Sequence, residues 1–163
     1  MLELKRLLSG ETESIPFTAS LDMAGMSSDI VSGTCAVSGV CRGTPDHIVL
    51  SADLKCELTA VCARCCKQFE TSLVHSFEFP VAEKLESDED EDRFVLMQDN
   101  ALDIEQICSE QLILNLPLRF LCRTGCKGLC PVCGADLNSG ACSCGGKRID
   151  PRLEKLKEYF NNK

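Results

Sequence analysis

Eight of the thirteen cysteines fall in short-spaced pairs, the arrangement that lets two thiolates reach one ion from a single loop. The sharpest is Cys130-Pro131-Val132-Cys133-Gly134, where Gly134 can take the positive φ that the turn needs. Cys142 and Cys144 follow closely, and Cys122 and Cys126 precede it. The stretch Leu116 to Cys144 thus holds six of the cysteines and no histidine. The remaining pair, Cys62 and Cys65 in CARCC, lies far upstream. An all-sulfur donor set suits zinc. Cys130, Cys133, Cys142 and Cys144 are local and close around an ion with the intervening loop 134–141. Cys62 and Cys65 then take Cys122 and Cys126, a long-range join. Both would be closed four-sulfur sites, structural in role, with no open position for a water nucleophile. Two Zn2+ ions are expected, one occupied quartet being the alternative. Binding of this kind contributes on the order of 10 kcal/mol to folding.

The other cysteines have plainer readings. Cys35, Cys56 and Cys108 fall on apolar faces and read as small core residues; Cys41 has no assignment. Cys66 stands where glycine would be easier, so either the turn departs from the usual knuckle or Cys66 is an extra thiol. His75 reads as a satisfied core histidine and His47 as a solvated turn residue. A thioredoxin-type dithiol needs a helix N-terminus to lower its pKa, and CARCC lies between strand patterns. With no Gly-rich phosphate loop, G-x-S-x-G elbow or HExxH, no enzyme activity and no small-molecule substrate are expected.

The elements that must hold these pairs read as an α+β fold in a single domain, residues 1–163. Residues 1–80 form an antiparallel β core. Leu2 to Leu8 is a strand or one helical turn, and Ile15 to Leu21 is an edge strand, where Pro16 is tolerated. Asp22 to Ser28 connects to a glycine-containing strand from Val31 to Cys41, and a turn follows at Gly43 to Asp46. The clearest pattern is the alternation of Ile48 to Ala60, answered by Phe69 to Phe79 beyond CARCC. Together they make a zinc-ribbon-like hairpin with the Cys62/Cys65 pair at its tip. Residues 81–93 are an acidic loop, solvated or else a phosphate mimic for a basic partner. Arg93 to Gln98 suits a short strand. A helix spans 102–116, capped by Asp103 and stopped by Pro117. The cysteine-rich zinc module covers 117–146, and Asp150-Pro151 opens a short C-terminal helix over 150–160.

Charge divides unevenly along the chain. Residues 1–118 carry 8 Lys and Arg against 21 Asp and Glu, whereas 119–163 carry 9 against 4. Zinc with four thiolates is itself about −2, so two sites would offset most of the tail's excess. The tail residues Arg123, Lys127, Lys147, Arg148 and Arg152 are candidates for contacting RNA or a protein partner. Few aromatic residues argue against base stacking, and the acidic body repels nucleic acid at long range, so no DNA contact is expected. No apolar run is long enough to span a membrane, and the N-terminus lacks the h-region of a secretory signal. Paired cysteines without an export signal favour metal over disulfides and a cytoplasmic location.

The order of CxxC hairpin, acidic loop and helix entering LPL, then C-x3-C-K-G-L-C-P-x-C-G-x-x-L-N, C-x-C and D-P-R, resembles the YceD family. These are large ribosomal RNA subunit accumulation proteins of bacteria and plastids. The resemblance covers nearly the whole chain and is most specific from Cys126 to Asn138. It implies a cytoplasmic factor for accumulation or processing of large-subunit ribosomal RNA in ribosome biogenesis, without known enzyme activity. The contact would be that RNA or its precursor, or a basic ribosomal protein. Two other classes stay open: a zinc-stabilised adaptor in gene expression with no rRNA role, and a thiol redox sensor.

Overall fold

Alternation of apolar and polar side chains from Ile48 to Ala60 builds the central strand of the protein, one face sealed and the other open. The computed structural model describes residues 1–44, 47–84 and 94–144. Its elements, in order, are β1 (Leu2–Glu3), α1 (Lys5–Leu8), β2 (Ser14–Asp22), β3 (Ile30–Gly43), β4 (Ile48–Val61), β5 (Gln68–Ala82), β6 (Val95–Leu96), β7 (Ala101–Leu102) and α2 (Ile104–Asn115). Five strands form one sheet in the order β2-β3-β4-β5-β6, and β1 pairs separately with β7. All pairs are antiparallel except β5–β6, where Val81 and Ala82 meet Val95 and Leu96 in parallel. The class is α+β, mostly antiparallel sheet with two helices among the described residues.

The register explains the core. Cys35 and Val37 of β3 face Cys56 and Leu54 of β4, which in turn face Leu73 and His75 of β5. Leu50, Leu54, Cys56 and Ala60 are buried in one core with α2, whose Ile104, Cys108 and Leu112 recur at four-residue steps on its buried side. The opposite sheet face is polar, with Ser51 donating to Glu78 and Ser76 to Asp53. This is the half-buried pattern that period-two alternation encodes.

Most local expectations hold. β2 is an edge strand carrying Pro16. The N-terminal segment combines both alternatives, a two-residue strand followed by a single helical turn, with Leu4 and Leu7 buried. Asp103 caps α2 by accepting the Gln106 N–H at 3.1 Å. The helix stops at Asn115 because Leu116, preceding Pro117, is extended at φ −62° and ψ 139°. The strand expected over Arg93 to Gln98 contracts to β6 plus a bridge from Gln98 to Ala101. The C-terminal helix over 150–160 and most of the acidic loop lie outside the described residues.

After α2 the chain returns to the tip of the β4–β5 hairpin. There Ala63 N–H donates to the Phe120 carbonyl at 2.8 Å, and Phe120 itself is buried. Helix and hairpin are thereby joined at the point where the first cysteines sit.

Candidate metal centre

The hairpin tip is a tight turn, Cys62 N–H bonding to the Lys67 carbonyl and Cys66 N–H to the Cys62 carbonyl, each at 2.9 Å. Cys66 has φ +57°, the left-handed region that glycine enters without penalty. Its side chain is exposed and lies outside both four-cysteine groups. Cys62 and Cys65 point inward. The Cys126 sulfur lies 3.8 Å from that of Cys62, and the Cys122 sulfur 3.7 Å from that of Cys65.

The second group is local. Cys130 begins a turn in which the Gly134 N–H bonds back to the Cys130 carbonyl at 2.9 Å, with Gly134 at φ +74°. The Val132 N–H donates to the Cys130 sulfur at 3.5 Å, and the Cys142 sulfur lies 3.4 Å from that of Cys130. The structure therefore brings the eight thiols into two quartets, Cys62, Cys65, Cys122 and Cys126, and Cys130, Cys133, Cys142 and Cys144. Within each, all four sulfurs lie within 4.8 Å of one another.

Those spacings fit a metal. A tetrahedron with Zn–S bonds of about 2.3 Å has edges of about 3.8 Å, whereas a disulfide needs about 2.05 Å. The electrostatics fit as well. Burial opposes ionisation of Cys62, but the N–H groups of Cys122, Arg64 and Cys65 aim at its sulfur and bring its pKa down to about 6. The N–H groups of Cys133 and Val132 do the same for Cys130, also to about 6. By contrast, burial and donation to neighbouring sulfurs push Cys122 up to about 12. Donation to Cys133, with burial, takes Cys144 to about 12. In the first quartet burial also opposes ionisation of Cys126, but the Asn138 side chain and the Gly128 N–H outweigh it and shift it down along with Cys62. Cys65 is shifted up along with Cys122. Each quartet thus holds sulfur that ionises readily beside sulfur that resists it, because adjacent thiolates repel. A divalent cation at the centre would offset that repulsion and allow all four thiolates to form.

The quartets are set apart from the remaining thiols. Cys35, Cys41, Cys56 and Cys108 are sealed in the core, where burial raises Cys41 and Cys108 to about 11 and Cys56 to about 12. Cys41, unassigned from sequence, is one more core residue. His75 does lie on the apolar face, yet its Nε2 is buried with no hydrogen-bond partner, which differs from the satisfied histidine expected.

Four residues that sequence reasoning passed over dock the second module on the hairpin. The Arg64 Nη1 donates to the Cys126 carbonyl at 2.8 Å, and the Arg64 carbonyl accepts the Leu129 N–H at 3.1 Å. The Asn138 Oδ1 accepts the Lys127 N–H at 2.8 Å, while its Nδ2 donates to Asp136 at 2.7 Å and faces the Cys126 sulfur at 3.5 Å. Asp136 also pairs with Lys67 at 2.6 Å. Hydrogen bonds from Lys67 and from the Asn138 N–H hold the Asp136 carboxyl down to about 2. The line Lys67–Asp136–Asn138–Cys126 links the hairpin tip through the 136–138 segment back to the first quartet. Gly128 permits this approach: at φ +75°, a Cβ there would sit 2.8 Å from the Arg64 carbonyl oxygen. Of the basic residues named from sequence, Arg123 and Lys127 are exposed on this module, while Lys147, Arg148 and Arg152 lie outside the described residues.

Fold and site together define a class, a half-open β-sheet protein whose C-terminal module is fastened to a hairpin tip through two all-sulfur clusters able to hold metal ions. The chain belongs to the YceD family, described as large ribosomal RNA subunit accumulation protein, whose match covers residues 50–159 and so includes all eight thiols. An uncharacterized protein of Mycobacterium tuberculosis is 31% identical over 122 residues, 71% of this chain and 56% of that protein. The chain therefore spans little more than half the length of this relative. The chloroplastic large ribosomal RNA subunit accumulation protein YCED homolog 1 of Zea mays is 35% identical over 63 residues, 38% of this chain and 21% of that one. Its Arabidopsis thaliana counterpart is 32% identical over 65 residues, 38% of this chain and 20% of its own length. No solved structure matches the chain. Among the described residues, no helix is long and apolar enough to cross a membrane.

Proposed function

We propose that this protein is a non-catalytic, zinc-binding cytoplasmic factor for accumulation of large-subunit ribosomal RNA, folded as one domain over residues 1–163. The observation that carries the reading is the family match, which spans both cysteine quartets. In it the quartets hold two structural zinc ions, the Cys62–Lys67 turn serving as the knuckle of a zinc-ribbon-like unit. Zinc supplies the charge that stabilises four adjacent thiolates, and the side chains of Arg64, Lys67, Asp136 and Asn138 orient the module around them. Arg123, Lys127, Lys147, Arg148 and Arg152 are then the basic residues that meet precursor RNA.

The test is crosslinking in the protein's own cells with sequencing of attached RNA. One enriched region of large-subunit precursor RNA is the expected result. Alanine substitutions at Lys127, Arg148 and Arg152 should weaken that contact and its salt dependence. A second reading rests on the imbalance of 8 cationic against 21 acidic residues in 1–118: the acidic body meets a basic ribosomal protein, and the RNA effect is indirect. Recovery of ribosomal proteins without RNA would favour it. Normal large-subunit RNA levels in cells lacking the protein would overturn both.

The docking ion pair makes its own prediction. Asp136 titrates at about 2 in the folded protein, below the usual value of about 3.9. Its contribution is therefore fully present above about pH 4 and lost as pH falls through about 2. At neutral pH the pair is intact, so Asp136→Asn should loosen the module and raise the pH at which zinc is released in an acid titration. Lys67→Met should do the same, and combining the two should add little, because they remove one interaction. An unchanged release midpoint would show that the pair does not brace the metal module.

A further inference from the structure

The helix α2 carries apolar side chains on two sides. Ile104, Cys108 and Leu112 seal the core, but Ile107 and Leu114 face a groove of about 640 Å3 between the helix and the β5–β6 edge. Phe79, Phe94 and Leu96 complete its floor. Leu114 is 75% exposed and Leu96 46% exposed, an open apolar strip with nothing folded over it among the described residues. Asp103 and Glu110 stand on the rim, and no Lys or Arg lines the groove among the described residues.

We propose that this groove docks a basic segment of a partner protein that carries apolar side chains. The inference does not depend on the RNA reading above. Apolar surface of this kind beside a helix is suited to receive side chains spaced along an amphipathic segment. The rim decides its charge. Carboxylates at Asp103 and Glu110 attract Lys and Arg flanking those apolar anchors. They repel phosphate, so RNA is a poor occupant. The Gln106 side chain donates to one Glu110 oxygen at 2.9 Å, which holds that carboxylate in place at the rim.

The probe is a pair of synthetic peptides with identical leucine spacing, one bearing Lys and the other Glu on its polar side. Each is titrated by fluorescence anisotropy into the full zinc-loaded chain. The Lys peptide should bind and the Glu peptide should not. Leu114→Asp should weaken binding about tenfold or more, and Glu110→Lys should weaken it and flatten its salt dependence. Both side chains are exposed, and thermal melts matching the parent protein would show that the fold is kept. Equal binding of the two peptides, or indifference to both substitutions, would overturn the proposal. So would a concentration-dependent dimer dissolved by Leu114→Asp, or a photocrosslink from position 114 to this chain's own residues 150–163. Because binding is read without RNA, normal ribosomal RNA levels in depleted cells would defeat the earlier reading and leave this one standing.

Discussion

Strong chelation of zinc is expected to detach residues 120–144 from the hairpin tip as a unit while the five-stranded sheet stays folded. The reason lies in where apolar burial falls. The main core runs through β2 to β5, α1 and α2, and among the described residues the only buried one it takes from beyond Leu116 is Phe120. The tip has its own small cluster, and its buried members are cysteines alone, Cys62, Cys65 and Cys126. Ordering a residue costs about 1–2 kcal/mol in backbone entropy, and each docking hydrogen bond returns about 1 kcal/mol. Hydrogen bonds at Ala63, Arg64 and Asn138 cannot hold so long a segment against that cost. A structural zinc site supplies about 10–16 kcal/mol in zinc-finger peptides, several times what those few hydrogen bonds return. Hydrogen exchange followed by mass spectrometry is the measurement. Chelator should erase protection in 62–67 and 120–144 and spare β3 and β4. Cys126→Ser should halve the zinc content and erase protection in 62–67 and 120–126, leaving 130–144 ordered about its own ion. Protection that survives complete zinc removal would mean the module is held by something other than metal.

Gly128→Ala should be the most damaging conservative substitution in the module. A left-handed backbone costs an alanine about 1–2 kcal/mol. Here the new Cβ would also lie 2.8 Å from the Arg64 carbonyl oxygen and 3.3 Å from the Arg64 Cβ. That carbonyl accepts the Leu129 N–H, so it cannot retreat without giving up a docking bond. Gly134→Ala is the control. Its φ of +74° is nearly the same as the +75° of Gly128, yet nothing lies within 4 Å of its Cβ. It should therefore show the backbone penalty by itself, about 1–2 kcal/mol. The difference between the two, read as loss of zinc affinity in competition with a chelating dye, isolates the contact with Arg64. Equal losses would mean that the two knuckles do not press on each other.

What the sequence revealed follows from which interactions are local. The alternation in β4 and β5, the Asp103 cap and the Pro117 stop each write themselves into neighbouring residues, and each is found in the structure. The spacing of the cysteine pairs announces loops built for two ligands, and the structure gathers the eight thiols into the expected groups. The pairs β1–β7 and β5–β6 were not legible, because two-residue strands carry no period. Nor was the Lys67–Asp136–Asn138 line, since an ion pair between distant segments leaves no local pattern. The half-exposure of Phe77 and Phe79 was equally hidden. Alternation says which side of a strand is apolar but not whether anything covers it.

The two quartets differ in how far apart along the chain their members lie. Cys130 meets a partner 12 residues away, whereas Cys65 and Cys122 are separated by 57 and Cys62 and Cys126 by 64. Closing the longer loops costs about 1.4 kcal/mol more, roughly tenfold in affinity, if the chain between is still unfolded. If the quartets hold zinc as proposed, the local one can load from its own segment alone, whereas the distant one loads only once β5 and α2 have brought its two pairs together. On refolding under scarce zinc the local site would then fill first, and occupancy of the distant site would report a completed sheet.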